Sequence, residues 1–299
     1  MLDRANSGYL RKLPKFNYVE AKTVEEACSL LSQYKSEAGV IAGGTDLLVS
    51  MKMRRVTPKH VISLRTIPNL DYIHFADREG LRIGAMATLY DIESLAVIRE
   101  RFPVLADAAS KIANPQIRNM GTIGGNLCNA APSADMAPPL IALGAKLKIQ
   151  GLKGERVIPL EEFFVGPGDS TLQPDEILTE IQVLNPPPGT QALYLKVPAR
   201  TAIDIAVVGV TALVTLDSKH THIIDVRIVL GAVAPTPIRA YEAEAIMKGK
   251  AIDRHLIERA AQAAADEARP ISDIRGSASY RKEMVKVLTN RAIRQLVTF

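Results

Sequence analysis

The sequence predicts an α+β protein in two domains, and two observations carry that expectation. Residues 190–299 pass through three β-rich stretches, 193–197, 203–216 and 222–233, and only then through three helical ones, 240–247, 253–268 and 280–296. Strands first and helices after is the pattern of helices laid on one face of a mostly antiparallel sheet. The run Asn185-Pro186-Pro187-Pro188-Gly189 is the strongest linker signal in the chain, which places a first domain at 1–184, a linker at 185–189 and a second domain at 190–299.

Composition narrows the class. Hydrophobic residues are 47% and charged residues 23% of 299 positions, as in globular proteins large enough for two cores. Aromatics at 5% and the lack of tryptophan make those cores aliphatic. The net charge is +5, but the basic residues are scattered and their longest cluster is MKMRR at 51–55, so no face is built for nucleic acid. Cys28 and Cys128 are too few for a disulfide framework or a four-cysteine cluster, and they fit a reducing compartment. The longest uncharged apolar run, 205–216, falls well short of the ~20 residues of a membrane helix. Charges in MLDRANSGYLRK occupy the place of an export signal's apolar core, so a cytoplasmic chain is expected.

Taken in order, the first domain opens after a polar leader with Thr23-Val24-Glu25-Glu26 at capping-box spacing. Val24, Ala27, Leu30, Leu31 and Tyr34 then follow on one helical face, and Cys28, off the centre of that stripe, reads as a small, partly buried side chain. Residues 39–42 read as a strand that ends at Gly43-Gly44, with Asp46 placed to N-cap a helix through Leu47, Leu48 and Met51. Another strand is expected at 60–64, and a hairpin at 71–76 and 81–86. Thr88 and Asp91 repeat the capping-box spacing. A helix over 104–113 buries Leu105, Ala108, Ala109 and Ile112 and is ended by Asn114-Pro115. Residues 136–143 read as a short helix capped by Asp135, with its prolines in the first turn. A hairpin at 146–150 and 156–160 and a strand at 176–184 complete the domain.

Covalent and metal chemistry have no obvious home. Neither a P-loop nor a G-x-G-x-x-G fingerprint occurs, and the only histidines at ligand spacing, His220 and His222, fall in a turn. Two glycine turns remain. AGGTD at 42–46 joins a strand to a helix start, which collects free N–H groups at one point. NPQIRNMGTIGGNLCNAAPSAD at 114–135 holds Gly121, Gly124 and Gly125 and no acidic side chain before Asp135. Glycine lets backbone amides approach an anion without a Cβ in the way, and each amide bond to charged oxygen contributes ~1.5–3 kcal/mol. Two such cradles can grip one diphosphate, supplemented by the hydroxyls of Thr45 and Thr122 and the side chain of Asn126. That requires the two bends to converge and both to keep their amides unspent.

Ala42-Gly43-Gly44-Thr45-Asp46-Leu47-Leu48 together with Thr122-Ile123-Gly124-Gly125-Asn126 resembles the FAD-binding medium subunit of molybdenum hydroxylases, the family of xanthine dehydrogenase, carbon monoxide dehydrogenase and 4-hydroxybenzoyl-CoA reductase. The resemblance continues through Asn114–Asn119, Pro132–Asp135, Lys196, 200–208 and Ser272–Arg281, nearly the whole chain. It implies a two-lobed FAD-binding domain of the vanillyl-alcohol-oxidase type, with lobes at about 1–65 and 66–184, followed by a C-terminal α+β domain like that of the carbon monoxide dehydrogenase flavoprotein.

An electron-transfer role is implied by the same resemblance. FAD on this chain would pass electrons, received from iron–sulfur clusters on a small subunit and a molybdopterin site on a large one, to an external acceptor. A dimer of heterotrimers is the implied assembly. By motif matching, Ile41, Ala42, Gly43, Gly44, Thr45, Asp46 and Leu47 with Thr122, Ile123, Gly124, Gly125 and Asn126 surround the diphosphate. Asp135 and Lys196 match positions that contact the cofactor, Ala113 with Ile112 lies near the ring, and Leu178 walls the adenosine or ring. Lys196 near the pyrimidine edge would favour the anionic reduced flavin. No catalytic side chain and no metal ligand is implied. The 4-hydroxybenzoyl-CoA reductases carry an inserted cysteine-bearing segment for an extra cluster, and the span 53–114 here has no cysteine, which moves the expectation towards the xanthine or carbon monoxide dehydrogenase side. The resemblance implies a xanthine, N-heterocycle or aldehyde dehydrogenase-like complex; the alternatives are a subunit of a 4-hydroxybenzoyl-CoA reductase-like or carbon monoxide dehydrogenase complex, a stand-alone FAD-dependent NAD(P)H reductase or oxidase, and an assembly subunit that has lost its flavin.

Overall fold

The computed structural model describes residues 12–201 and 204–297; the polar leader up to residue 11 and Ile203, expected to begin a strand, lie outside them. The first lobe runs β1 (Asn17–Glu20), α1 (Val24–Tyr34), β2 (Ala38–Ile41), α2 (Leu47–Lys52) and β3 (His60–Ser63). Its strands are parallel in the order β1-β3-β2, because α1 and α2 carry the chain back across the sheet between strands. Ala27, Cys28 and Leu31 of α1 pack on Ile62 and Leu64 to form its core. Cys28 is thus fully buried rather than half-buried, and burial holds its thiol at about 11.

The second lobe contains β4 (Ile73–Ala76), β5 (Gly80–Gly84), α3 (Leu89–Ser94), α4 (Ala96–Arg101), α5 (Pro103–Ser110), α6 (Pro115–Arg118), α7 (Ile123–Cys128), α8 (Ala137–Ala142), β6 (Lys146–Gly151), β7 (Gly154–Pro159), β8 (Phe164–Gly166), β9 (Asp169–Ser170) and β10 (Ile177–Val183). Its main sheet is antiparallel, ordered β4-β5-β10-β6-β7. Two local expectations need correction. Thr23 Oγ1 does accept from the Glu26 amide at 3.1 Å, but Glu26 reaches back to the amide of Lys22, not to that of Thr23. The helix before Asn114-Pro115 ends at Ser110, and Asn114 instead N-caps α6 by accepting from the Ile117 amide at 2.9 Å.

Residues 190–297 fold as β11 (Thr190–Pro198), β12 (Ala206–Leu216), β13 (Ile223–Gly231), β14 (Ile238–Arg239), α9 (Tyr241–Met247), α10 (Arg254–Glu267) and α11 (Ala278–Leu296). The sheet is antiparallel in chain order, as the strand-then-helix sequence predicts. Both of its faces are covered, however. With a period of two, Val208, Val210, Ala212 and Val214 of β12 face the core shared with α9, α10 and α11. Leu213 on the same strand and Tyr194 on β11 join the core of the second lobe, against α5 and α8. A strand buried on both faces reads as one unbroken apolar run, which is why β12 does. The same alternation turns Tyr194 and Lys196 towards the first domain.

Candidate cofactor-binding site

The two glycine turns meet. A Cβ on Gly43 would lie 1.9 Å from the carbonyl oxygen of Met120, and one on Gly125 would reach the Cβ of Ala42 at 4.0 Å. Contact as close as that at Gly43 is open only to a residue without a side chain. The amides of residues 42–46 meet no protein acceptor among the described residues, so the first turn keeps its row of donors. Gly44, at φ +76°, supplies the left-handed step in that row.

The second turn does not keep its donors, and here the sequence reading is corrected. Thr122 N-caps α7, so its hydroxyl accepts from the Gly125 amide at 3.0 Å instead of serving an anion. The amides of Ile123 and Gly124 donate to the carbonyls of Ala87 and Ala85, and that of Asn126 to Thr122. Gly124 is required by packing, since its Cβ would strike the Ala85 oxygen at 2.6 Å. What this segment offers a ligand is the side-chain Oδ1 of Asn126, which is buried without a partner among the described residues. Asp46 is a second correction: it makes no capping bond to α2, and burial raises its carboxyl above the ordinary carboxylate range.

Around this junction lies a cavity of about 680 Å3, within the ~300–1,000 Å3 of small-molecule sites. Ala42, Gly43, Gly44, Thr45, Asp46, Leu47, Ala113, Thr122, Gly124, Gly125, Asn126, Asp135, Leu178 and Lys196 all line it, with Ile112 beside them. Ile41 and Ile123 do not; Ile123 is buried in the core of the second lobe. Val40, Cys128, Ser133, Glu176, Asp204 and Ile205 also line the cavity, and the sequence reading gives none of them a place in the site.

Asp135 is not a helix cap either: α8 has no side-chain cap. Its Oδ2 accepts from Lys196 Nζ at 2.9 Å and its Oδ1 from the hydroxyl of Tyr194, with the two charged side chains 7% and 3% exposed. Burial pushes the Asp135 carboxyl up despite the neighbouring ammonium, and burial beside Asp135 pushes the Tyr194 phenol far up as well. Lys196 Nζ also donates to the Lys111 carbonyl at 2.8 Å, while Lys111 Nζ donates to the Tyr194 carbonyl at 2.8 Å and pairs with Asp107. These reciprocal bonds fasten β11 to the end of α5, so the cavity wall is completed by a strand from beyond the linker. Tyr194 was missed from sequence, although its place two residues before Lys196 puts both on one face of a strand.

Arg118 is a further missed residue. It is buried, its Nε donates to Glu93 Oε2 at 2.6 Å, and its Nη1 donates to the carbonyls of Ile112 and Ala113 at 3.0 Å each. Ala113 has φ +44°, costly for a residue with a Cβ, and Arg118 holds that turn against the cavity. Arg118→Met is expected to destabilise the protein by about 2–4 kcal/mol, because it strands Glu93 and two carbonyls. A urea midpoint equal to the native one would exclude that role.

The fit to a flavin dinucleotide follows: a row of unspent amides suits a diphosphate, an orphaned buried acceptor suits a hydroxyl or N–H, and apolar walls suit flat rings. Residues 14–186 match the family described as the FAD binding domain in molybdopterin dehydrogenase, and residues 193–296 match the CO dehydrogenase flavoprotein C-terminal domain. The carbon monoxide dehydrogenase medium chain of Hydrogenophaga pseudoflava is 37% identical over 280 residues, covering 94% of this chain and 96% of that one. The xanthine dehydrogenase FAD-binding subunit of Escherichia coli O157:H7 is 32% identical over 282 residues, with 94% and 96% covered. In structure, the chain superimposes on carbon monoxide dehydrogenase from Hydrogenophaga pseudoflava with a TM-score of 0.91 at 36% identity, covering 95% of this chain and 97% of that one. The two-domain fold is thus a shared architecture, and the chain belongs to the family of FAD-binding medium subunits of molybdenum hydroxylases.

Proposed function

We propose that this chain is the FAD-carrying electron-transfer subunit of a cytoplasmic heterotrimeric hydroxylase, with molybdopterin on a large partner and iron–sulfur clusters on a small one, assembled as a dimer of heterotrimers. The observation that carries the reading is the row of unspent amides at 42–46, brought against the 121–126 segment beside the orphaned Oδ1 of Asn126. Bound FAD supplies the exchange of electrons between a donor and an acceptor.

The chain's own residues bind and tune. The amides of 42–46 hold the diphosphate, Asn126 accepts a hydrogen bond from a ribose or ring donor, and Ala113, Ile112 and Leu178 exclude water from the rings. Asp135 and Lys196 set the charge beside the cofactor. Family relatives are subunits of complexes whose names include a carbon monoxide dehydrogenase medium chain and a 6-hydroxypseudooxynicotine dehydrogenase complex subunit. The absence of cysteine from 53–114 speaks against a cluster in this chain, and the complex is read as acting on an N-heterocycle or an aldehyde.

Purification under native conditions tests the reading. A yellow complex of three chains with one FAD, iron and molybdenum supports it; a solitary yellow protein, or a complex without flavin, rejects it.

A further inference from the structure

The cavity holds two regions of different character. Around 42–46 it presents a row of unspent amides, open donors for an anion's oxygens; elsewhere on the wall Asp135 and Lys196 are already paired with each other, so that patch offers an anion no free charge. The phosphates therefore occupy the amide region, and the Asp135–Lys196 pair is left to an uncharged ring. We propose, on the FAD reading above, that Asp135 is a redox-linked proton acceptor: it takes up one proton when the flavin in this cavity is reduced.

The geometry suits that role. With Asp135 ionised and Lys196 protonated, this patch of wall is neutral; protonating Asp135 turns it into a cation without moving a heavy atom. Two electrons from a reduced donor chain enter the flavin together with one proton on the ring. The negative charge left on the ring draws a second proton from solvent to Asp135 Oδ, forming one O–H bond and breaking none within the protein, and reoxidation releases it. A unit charge arriving within ~10 Å shifts a carboxyl by about one pH unit at an effective dielectric of about 20. Burial already holds Asp135 above the usual carboxylate range, so such a shift carries it towards neutral pH.

The neighbouring groups do not compete. From β11, Lys196 and Tyr194 face Asp135, and from the end of α5 Lys111 adds positive charge; burial and Asp135 itself keep the Tyr194 phenol protonated. The helices on either side of Asp135, α7 and α8, carry no ionisable side chain but Cys128, which burial holds at about 12. Elsewhere on the wall, Glu176 is held low by Arg156, and Asp204 by the Thr201 amide and Arg200. Asp46 is the rival, since its carboxyl is also raised.

The test is a potentiometric titration of the flavin in the protein as purified, followed by flavin absorbance from about pH 5 to about pH 9, with infrared difference spectra on reduction. Native protein is expected to take up one more proton per two electrons than Asp135→Asn within part of that range, and to gain a carboxylic-acid carbonyl band that Asp135→Asn lacks. Should Asp135→Asn not fold, Tyr194→Phe, which removes a donor to the carboxylate, is expected to move the extra uptake to higher pH. Equal proton uptake in native protein and Asp135→Asn, loss of the extra proton in Asp46→Asn instead, or an unmoved window in Tyr194→Phe overturns the proposal while leaving the FAD reading intact. A native protein without flavin overturns both.

Discussion

Gly43→Ala is expected to weaken FAD binding by about 10- to 100-fold, corresponding to the ~1–3 kcal/mol of an overpacked site. The new Cβ would lie 1.9 Å from the Met120 oxygen and 2.7 Å from its carbonyl carbon, and both are backbone atoms that no rotamer change can move aside. The two turns must then separate, and the amides of 42–46 lose their place against Asn126. Gly44→Ala is the internal control. Its Cβ would meet only side-chain atoms, the nearest being the flexible tip of Ile41 at 3.1 Å, so its cost is the left-handed backbone, about 1–2 kcal/mol of stability. Fluorescence titration of apo-protein with FAD reads both variants, with thermal unfolding to verify that each is folded. Native affinity in Gly43→Ala would refute the convergent-turn account of the site.

The second large effect is expected at Lys196. Lys196→Met removes the partner of a buried carboxylate and the donor to the Lys111 carbonyl, and breaking a buried pair costs ~3–5 kcal/mol. Protonation of Asp135 softens that loss. Because burial raises this carboxyl in the folded state, the folded protein holds the proton at pH values where the unfolded chain has released it. The contribution of Asp135 to stability is therefore fully present below the ordinary carboxylate pKa and falls as pH rises towards the raised folded value, and it falls over a wider pH range in Lys196→Met than in native protein. Flavin reduction should become harder in the variant, increasingly so as pH rises and the wall turns negative. Adding Asp135→Leu should restore stability, since a pair replaced by apolar groups is often neutral or better. Midpoint potentials and urea midpoints at several pH values check each part; an unchanged potential at alkaline pH would show that Lys196 does not tune the flavin.

Loss at Gly43 would disturb binding without touching charge, whereas loss at Lys196 would disturb charge while leaving the amide row whole. Comparing the two variants separates holding the cofactor from tuning it.

Several features were legible because they are local. Gly43-Gly44 marks a turn from composition alone, the Thr88–Asp91 capping box forms in both directions, and the antiparallel sheet with three helices follows from the strand-then-helix order of 193–296; Gly124-Gly125, read as a second turn, lies instead in the first turn of α7. The errors share one cause. Asp46 and Asp135 each precede a helix and so read as caps, yet neither makes a capping bond: both line the cavity, and Asp135 is taken up by Tyr194 and Lys196, about 60 residues away in sequence. The amides of 123–126 looked free because the acceptors for Ile123 and Gly124, the carbonyls of Ala87 and Ala85, lie more than one element upstream. Arg118 sits inside a quoted motif, but its work on Ala113 and Glu93 depends on a turn with φ +44° that no residue type announces.

By itself the sequence determined which residues are small enough to bend, which stretches alternate with the period of a strand or a helix, and which family motifs the chain carries, because these depend on neighbours a few positions away. Tertiary structure alone decided which amides stay unspent, which carboxylates are buried, and that a strand from beyond the linker brings Lys196 and Tyr194 to Asp135. Hydrogen-bond occupancy and desolvation are set by whatever atoms arrive in space, and at this site those atoms come from positions about 60 to 85 residues apart along the chain.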